Sequence, residues 1–181
     1  MTLEKKCMSL MKKLSLSLFS IILFLSIITS ASSFEKIIIG KANVTDGDTI
    51  KINDQKIRLF GIDAPETKQF CKEVYLSFLI FNFKRDYNCG EKSTNALKKK
   101  IKDKKIRCLI QDNKDRYRRN IGICYLKKQD INSWLVKNGY AIAYRRYSKK
   151  YIIDEQYAED NKLGIWQGTF MEPEKWRRIM N

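Results

Sequence analysis

The sequence predicts an α+β protein that is mainly β: a small closed barrel of five strands with three helices. Three observations predict it. Five short runs of alternating or apolar residues are each bounded by Gly, Asn or Asp turns. Three longer stretches carry apolar residues at helical spacing between capping residues. Closure follows from size: in 181 residues, five short strands leave no unprotected edge only when the sheet meets itself.

The first strand runs from Glu35 to Val44 around Ile37-Ile-Ile39, and Thr45-Asp-Gly-Asp48 turns the chain. Ile50-Lys-Ile52 alternates as a half-buried strand, Asn53-Asp-Gln55 turns it back, and Lys56 to Ile62 completes a three-stranded meander. Glu91 to Lys102 sets Ala96, Leu97 and Ile101 on one helical face. Ile106 to Gln111 and Ile121 to Leu126 are strands four and five. Asp130 caps a second helix that carries Ile131, Trp134 and Leu135 and stops at Gly139. A third follows Ser148, places Tyr151 and Ala158 two turns apart and ends at Gly164. The tail from Thr169, with Phe170, Trp176 and Ile179, packs back on the domain. Val74-Tyr-Leu-Ser-Phe-Leu-Ile-Phe-Asn-Phe83 is strongly apolar and reads equally as a satellite core, a buried helical turn or an exposed lip.

Residues 1–33 read differently from residues 34–181, which form the single domain. Lys12-Lys13, an apolar run from Leu14 to Ile28 and Thr29-Ser-Ala-Ser-Ser33 have the three-part pattern of a secretory signal peptide. The expectation is export to the periplasm or beyond the cell. The alternative is an uncleaved anchor at 14–28, although about 15 residues is short for a membrane span. Without residues 1–33 the chain keeps 32 Lys+Arg against 19 Asp+Glu, a net charge of +13 that favours polyanions. The absence of histidine excludes Ser-His-Asp and Cys-His catalysis, imidazole acid–base chemistry and His-ligated zinc.

Four cysteines follow the presequence, and an even count in an exported chain suggests disulfides. Cys108 and Cys124 are equidistant from Arg116, so a symmetric hairpin sets them opposite each other. Cys71 is then left with Cys89. A four-cysteine zinc site is the rival, but the spacing contains no C-x2-C pair.

The chemistry gathers in Asp46-Gly-Asp-Thr49, Arg58-Leu-Phe-Gly-Ile-Asp-Ala-Pro-Glu66 and Asp112-Asn-Lys-Asp-Arg-Tyr-Arg-Arg-Asn120. Asp48 and Asp63 lie at similar distances from the turn near residue 54, which puts two carboxylates at one end of the hairpin. With the Ala64 carbonyl before Pro65 they suit a hard cation held by oxygens, Ca2+ or Mg2+. Pro65 fixes the turn, so Glu66 is aimed at the same spot. Taken singly, each acid reads as a turn cap; beside Arg58 in an otherwise apolar strand, the three read as one site. An arginine there holds an anion, and its planar fork suits phosphate. The crowded residues Asp115 to Arg119 read as a solvated tip or as a second phosphate clamp with a tyrosine beside it.

TDGDT, RLFGIDAPE and DRYRRN, in this order, resemble the staphylococcal nuclease (thermonuclease) family, from about Ile37 to Trp176. The chain is most similar to exported bacterial members with extra cysteines, where QFC, NCGE and the closing PEKWR recur. The resemblance implies a five-stranded OB-type barrel with three helices and calcium-dependent hydrolysis of phosphodiesters in DNA and RNA. It implies Ca2+ held by Asp48, Asp63 and the Ala64 carbonyl, catalysis by Arg58, Glu66 and Arg119, and nucleotide contacts from Arg116, Tyr117, Tyr144 and Tyr147. Two features depart from it: Arg118 stands where the family has glycine, and residues 74–83 form a long apolar insert. The partners expected are nucleic acid, with no obligate protein partner and a monomeric chain. The competing readings are an inactive basic nucleic-acid-binding barrel and a protein that contacts membrane through 74–83 or the anchor.

Overall fold

The computed structural model describes residues 34–180; the presequence, cleaved or retained as an anchor, lies outside the described residues. In chain order the elements are β1 (Phe34–Asp46), β2 (Thr49–Ile52), β3 (Gln55–Leu59), β4 (Ile62–Asp63), β5 (Phe70–Phe78) and β6 (Phe81–Asn88). Then come α1 (Cys89–Ile101), β7 (Lys105–Lys114), β8 (Asn120–Leu126), β9 (Gln129–Asp130), α2 (Ile131–Lys137), β10 (Ile142–Ala143) and α3 (Ile152–Asp160). A 3-10 turn (Gly164–Gln167), β11 (Gly168–Thr169) and α4 (Pro173–Met180) complete the described chain.

The barrel order is β3-β2-β1-β7-β8, closed by a parallel pairing of β3 with β8. It is the expected five-stranded, OB-type α+β barrel. β1 is long enough to serve two neighbours: Ile38 faces Cys108 of β7, and Val44 faces Ile50 of β2. Asn53 and Asp54 take φ of 46° and 63°, the two-residue hairpin turn whose twist matches its strands. Asn132, fully buried, fastens the closing seam by donating to the carbonyls of Phe60 (2.9 Å) and Gly122 (3.3 Å) and accepting from the Cys124 N–H (3.2 Å).

The core inside the barrel is aliphatic, with Ile52, Ile57, Ile62, Leu97, Ile106, Leu135 and Val136 all at 0% exposure. Cys108 and Cys124 face each other across β7 and β8 and are bonded within this core. Cys71 and Cys89 form the second disulfide, in a smaller cluster with Ile165, Trp166 and Phe170. All of these residues lie within 34–180.

Asn88 caps α1 by accepting from the Glu91 N–H, and Asp130 caps α2 by accepting from the Ser133 N–H. Two element bounds differ from the expectation, and the structure gives form to the tail and to residues 74–83. The third strand does not run to Ile62; it stops at Leu59, where Gly61 takes φ of 72°, and Ile62–Asp63 pairs instead with β10. α3 ends at Asp160, short of Gly164, because Lys162 turns into the left-handed region. The tail packs back as a fourth helix, α4. Residues 74–83 form the outer part of the β5–β6 ribbon, the exposed lip among the three readings. No helix among the described residues is long and apolar enough to cross a membrane.

Candidate active site

Arg58 is the hub of the site. Thr49 pairs with Arg58 across the β2–β3 ladder, which brings Asp48, one residue before β2, alongside it. The break at Gly61 then folds Asp63 back on the other side. Arg58 Nη1 donates to Asp48 Oδ1 at 2.7 Å and Nη2 to Asp63 Oδ1 at 2.8 Å. Both acids are buried, and Asp63 has no exposed surface. Among the described residues two of the five guanidinium N–H groups are engaged in these bonds.

The Asp63-Ala-Pro-Glu66 turn is clamped from three sides. The Ala64 N–H donates to Asp48 Oδ2 at 3.2 Å. Gln69, fully buried, accepts from the Glu66 N–H (3.2 Å) and donates to the Met171 carbonyl (2.6 Å). Gly90, at the start of α1, lies so close that a Cβ there would sit 1.7 Å from the Glu66 carbonyl oxygen. Only glycine fits, and the close approach fixes the backbone from which Glu66 projects.

Arg119 arrives from the tip between β7 and β8. Asp115 accepts from the backbone N–H groups of Tyr117 and Arg119 (2.9 Å each) and from Arg119 Nε (2.6 Å). These bonds to Arg119 hold the Asp115 carboxyl below its ordinary value, against the opposing effect of burial. Arg119 Nη1 reaches Thr49 Oγ1 at 3.2 Å, next to Asp48. Arg118 points into solvent from a backbone at φ of 60°, so the position keeps the left-handed conformation that glycine adopts without strain. Tyr117 is exposed, and the guanidinium groups of Arg116 and Arg119 lie 4.8 and 5.3 Å from its ring centroid.

Tyr144 and Tyr147 follow β10, which pairs with β4 through Ile142 and Asp63. Their rings meet edge to face with centroids 4.8 Å apart. Tyr144 and Asp63 share the wall of a cavity of about 430 Å³ with Arg145, Trp166, Phe170 and Glu174. Arg119 thus reaches Asp48–Arg58–Asp63 through Thr49 and Tyr144 through the cavity it shares with Asp63; Tyr147 and Tyr117 touch Tyr144 and Arg119 in turn.

Two members of the site were not foreseen. Arg177 of α4 donates through Nη2 to both oxygens of Asp63 (3.0 Å each) and through Nη1 to Glu66 Oε1 (2.7 Å). Arg177 belongs to the closing PEKWR, but its partners lie 111 and 114 residues upstream, beyond any local signal. Asp46 accepts from the Asp48 N–H at 3.1 Å and adds a third carboxylate at the mouth of β2.

This concentration of acid shows in the titration of the group. Burial, then the neighbouring Asp48 carboxylate, pushes Asp63 up to about 6, although Arg177 and Arg58 pull the other way. Burial and Asp48 push Asp46 up to about 7. Burial works against the Arg58 charge, yet Asp48 and Asp63 hold its pKa above the ordinary guanidinium value. Asp46, Asp48, Asp63 and Glu66 thus gather four carboxyl groups around Arg58 and Arg177. Carboxylate and backbone oxygens are the donors that a hard cation takes. Among the described residues no three His, Cys, Asp or Glu side chains converge as a ligand cage. A cation here would complete its shell from backbone, water and phosphate.

A family model described as staphylococcal nuclease homologue matches residues 56–168. A succinoglycan biosynthesis protein of Rhizobium meliloti is 35% identical over 133 residues, 72% of this chain and 65% of its own length. The chain thus spans just under two thirds of that relative. An uncharacterized endonuclease of Haemophilus influenzae is 34% identical over 165 residues, 87% of this chain and 82% of its own. A micrococcal nuclease of Shigella flexneri is 30% identical over 154 residues, covering 75% and 77%.

Proposed function

Because the chain belongs to the staphylococcal nuclease family, we propose that it is a calcium-dependent nuclease that hydrolyses phosphodiester bonds of DNA and RNA with little sequence preference. The observation that carries the reading is Arg58 held between two buried aspartates, with Glu66 and Arg119 converging on the same strand end. A barrel that only bound nucleic acid would gain nothing from desolvating carboxylates beside its phosphate site.

Asp48, Asp63 and the Ala64 carbonyl would hold Ca2+, which supplies Lewis-acid polarisation of a phosphate oxygen when bound. The remaining steps belong to the chain. Arg58 and Arg119 grip the non-bridging oxygens and stabilise the charge that grows at five-coordinate phosphorus. Asp115 and Thr49 keep the Arg119 fork aimed. Glu66 takes a proton from the attacking water as its oxygen bonds to phosphorus, the bridging P–O bond opposite breaks, and the leaving alkoxide takes a proton from solvent water. Arg116 and Tyr117 meet a neighbouring phosphate, and Tyr144 and Tyr147 present ring faces to the nucleotide. Two disulfides support an exported protein in an oxidising compartment.

The test is digestion of single-stranded DNA, duplex DNA and RNA by oxidised residues 34–181, with Ca2+, with Mg2+ and with chelator. Cleavage that requires Ca2+ and falls by about 10²-fold or more in Glu66→Gln is expected. Tight DNA binding without cleavage in any metal would overturn the assignment.

A further inference from the structure

We propose that Arg177 completes the active centre as a positioning residue for Glu66, so that the nuclease is built only when α4 docks. This rests on the nuclease reading above. Arg177 is one planar fork with two simultaneous tasks: one edge takes both oxygens of the fully buried Asp63, the other takes Oε1 of Glu66. That geometry fixes the distance and relative orientation of the two carboxylates. Among the described residues Glu66 Oε2 accepts no hydrogen bond, and the side chain stays about one third exposed. Arg177 thus pins one oxygen and leaves the other without a partner among the described residues, as a base acting on water requires. The family match ends at residue 168, before α4 begins. Gln69 ties the tail to the same turn through the Met171 carbonyl.

The experiment compares wild-type residues 34–181 with Arg177→Ala, Arg177→Lys and, as a control on the same helix, Arg178→Ala. It measures kcat and KM at saturating Ca2+, Ca2+ binding by calorimetry and melting in chelator. Arg177→Ala should melt cooperatively and lose about 10²-fold in kcat, with KM changed by less than about threefold. Arg177→Lys, which reaches one carboxylate but not both, should recover part of kcat, and Arg178→Ala should match wild type. A kcat for Arg177→Ala within about threefold of wild type would reduce the contact to a structural one. Ca2+ binding at least about tenfold tighter with unimpaired kcat would make Arg177 the cation's competitor. Either result overturns the proposal. A wild-type protein that cleaves nothing with Ca2+ removes the nuclease reading first and this inference with it.

A separate surface carries a second inference: we infer that the tip of the β5–β6 ribbon docks on an anionic phospholipid bilayer. Leu76 pairs with Phe83 and Phe78 with Phe81 on one face, and Leu79 and Ile80 at the turn are 87% and 88% exposed. Polarity is sorted along the ribbon. The outer part is apolar, and the stem carries the ion pairs Glu73–Arg85 and Lys72–Asp86 at the level where headgroups would lie. The strongly basic chain repels a second copy and is drawn to an anionic surface. Sedimentation of residues 34–181 with vesicles of phosphatidylglycerol and phosphatidylcholine should recover the protein. Pure phosphatidylcholine should not, and Leu79→Ser with Ile80→Ser should weaken binding by about 10-fold or more while melting and DNA cleavage hold. Binding that ignores the tip substitutions, no binding at low salt, or a dimer that the substitutions dissolve would each overturn it.

Discussion

Replacing Arg118 by glycine should stabilise the protein and leave its chemistry intact. Arg118 holds φ at 60°, where an L-residue costs roughly 1–2 kcal/mol. Its side chain is exposed and makes no ion pair among the described residues, so truncation removes no contact. Glycine returns roughly 0.5–1 kcal/mol through its larger unfolded-state freedom. The net gain is about 0.5–1 kcal/mol, roughly 2 °C in Tm for a domain of this size. Arg119→Lys is the contrasting change: lysine keeps the charge but loses the fork that spans Asp115 and Thr49, and turnover should fall by about 10²-fold or more. Calorimetry and a fluorescent oligonucleotide assay on both variants decide the matter. If Arg118→Gly melts lower, the strain argument at residue 118 is refuted; if it loses cleavage as Arg119→Lys does, the role given to Arg119 is refuted.

Acid pKa values raised to about 6 at Asp63 and about 7 at Asp46 mean that the fold binds these protons more tightly than the unfolded chain does. Their contribution is present at low pH and lost as pH rises through those values, so Tm in chelator should fall between pH 5.5 and 8. Added Ca2+ should recover more Tm at pH 7.5 than at pH 5.5, and a chelator profile that rises throughout would contradict this. Gly90→Ala must displace the Glu66 backbone; it should cost about 1–3 kcal/mol in denaturant unfolding and reduce kcat as well. Asn132→Leu leaves buried backbone groups at the β3–β8 seam without their partner and should cost about 3 kcal/mol in the same assay, with unchanged stability arguing against the polar seam.

The five barrel strands and the Asn53–Asp54 turn were legible because they follow from local alternation and turn residues; Asp48 and Asp63 do meet, but through Arg58 and the break at Gly61 rather than by symmetry about that turn. The Cys108–Cys124 bond was legible from symmetry about its own hairpin. What was not legible depends on partners remote in sequence. Ile62–Asp63 leaves the third strand because β10, some eighty residues on, offers a better ladder. The β5–β6 turn at Leu79–Ile80 contains no Gly, Asn or Pro, and Leu79 itself takes φ of 50°, so no turn signal marks it. Arg177 looked like one more basic tail residue, since nothing in PEKWR announces two acids a hundred residues earlier.

The Cys71–Cys89 bond has a consequence for how this chain can be altered. It joins the two feet of the β5–β6 ribbon, where Phe70 pairs with Asn88, and β11 holds the same end through Glu73. Glu66 and Gly90 lie just outside that staple. The outer ribbon is therefore an interchangeable cassette, with its ends set by covalent and ladder bonds that its own sequence does not supply. Grafting a different hairpin between Val74 and Lys84 would change what the surface displays while the catalytic carboxylates keep their frame.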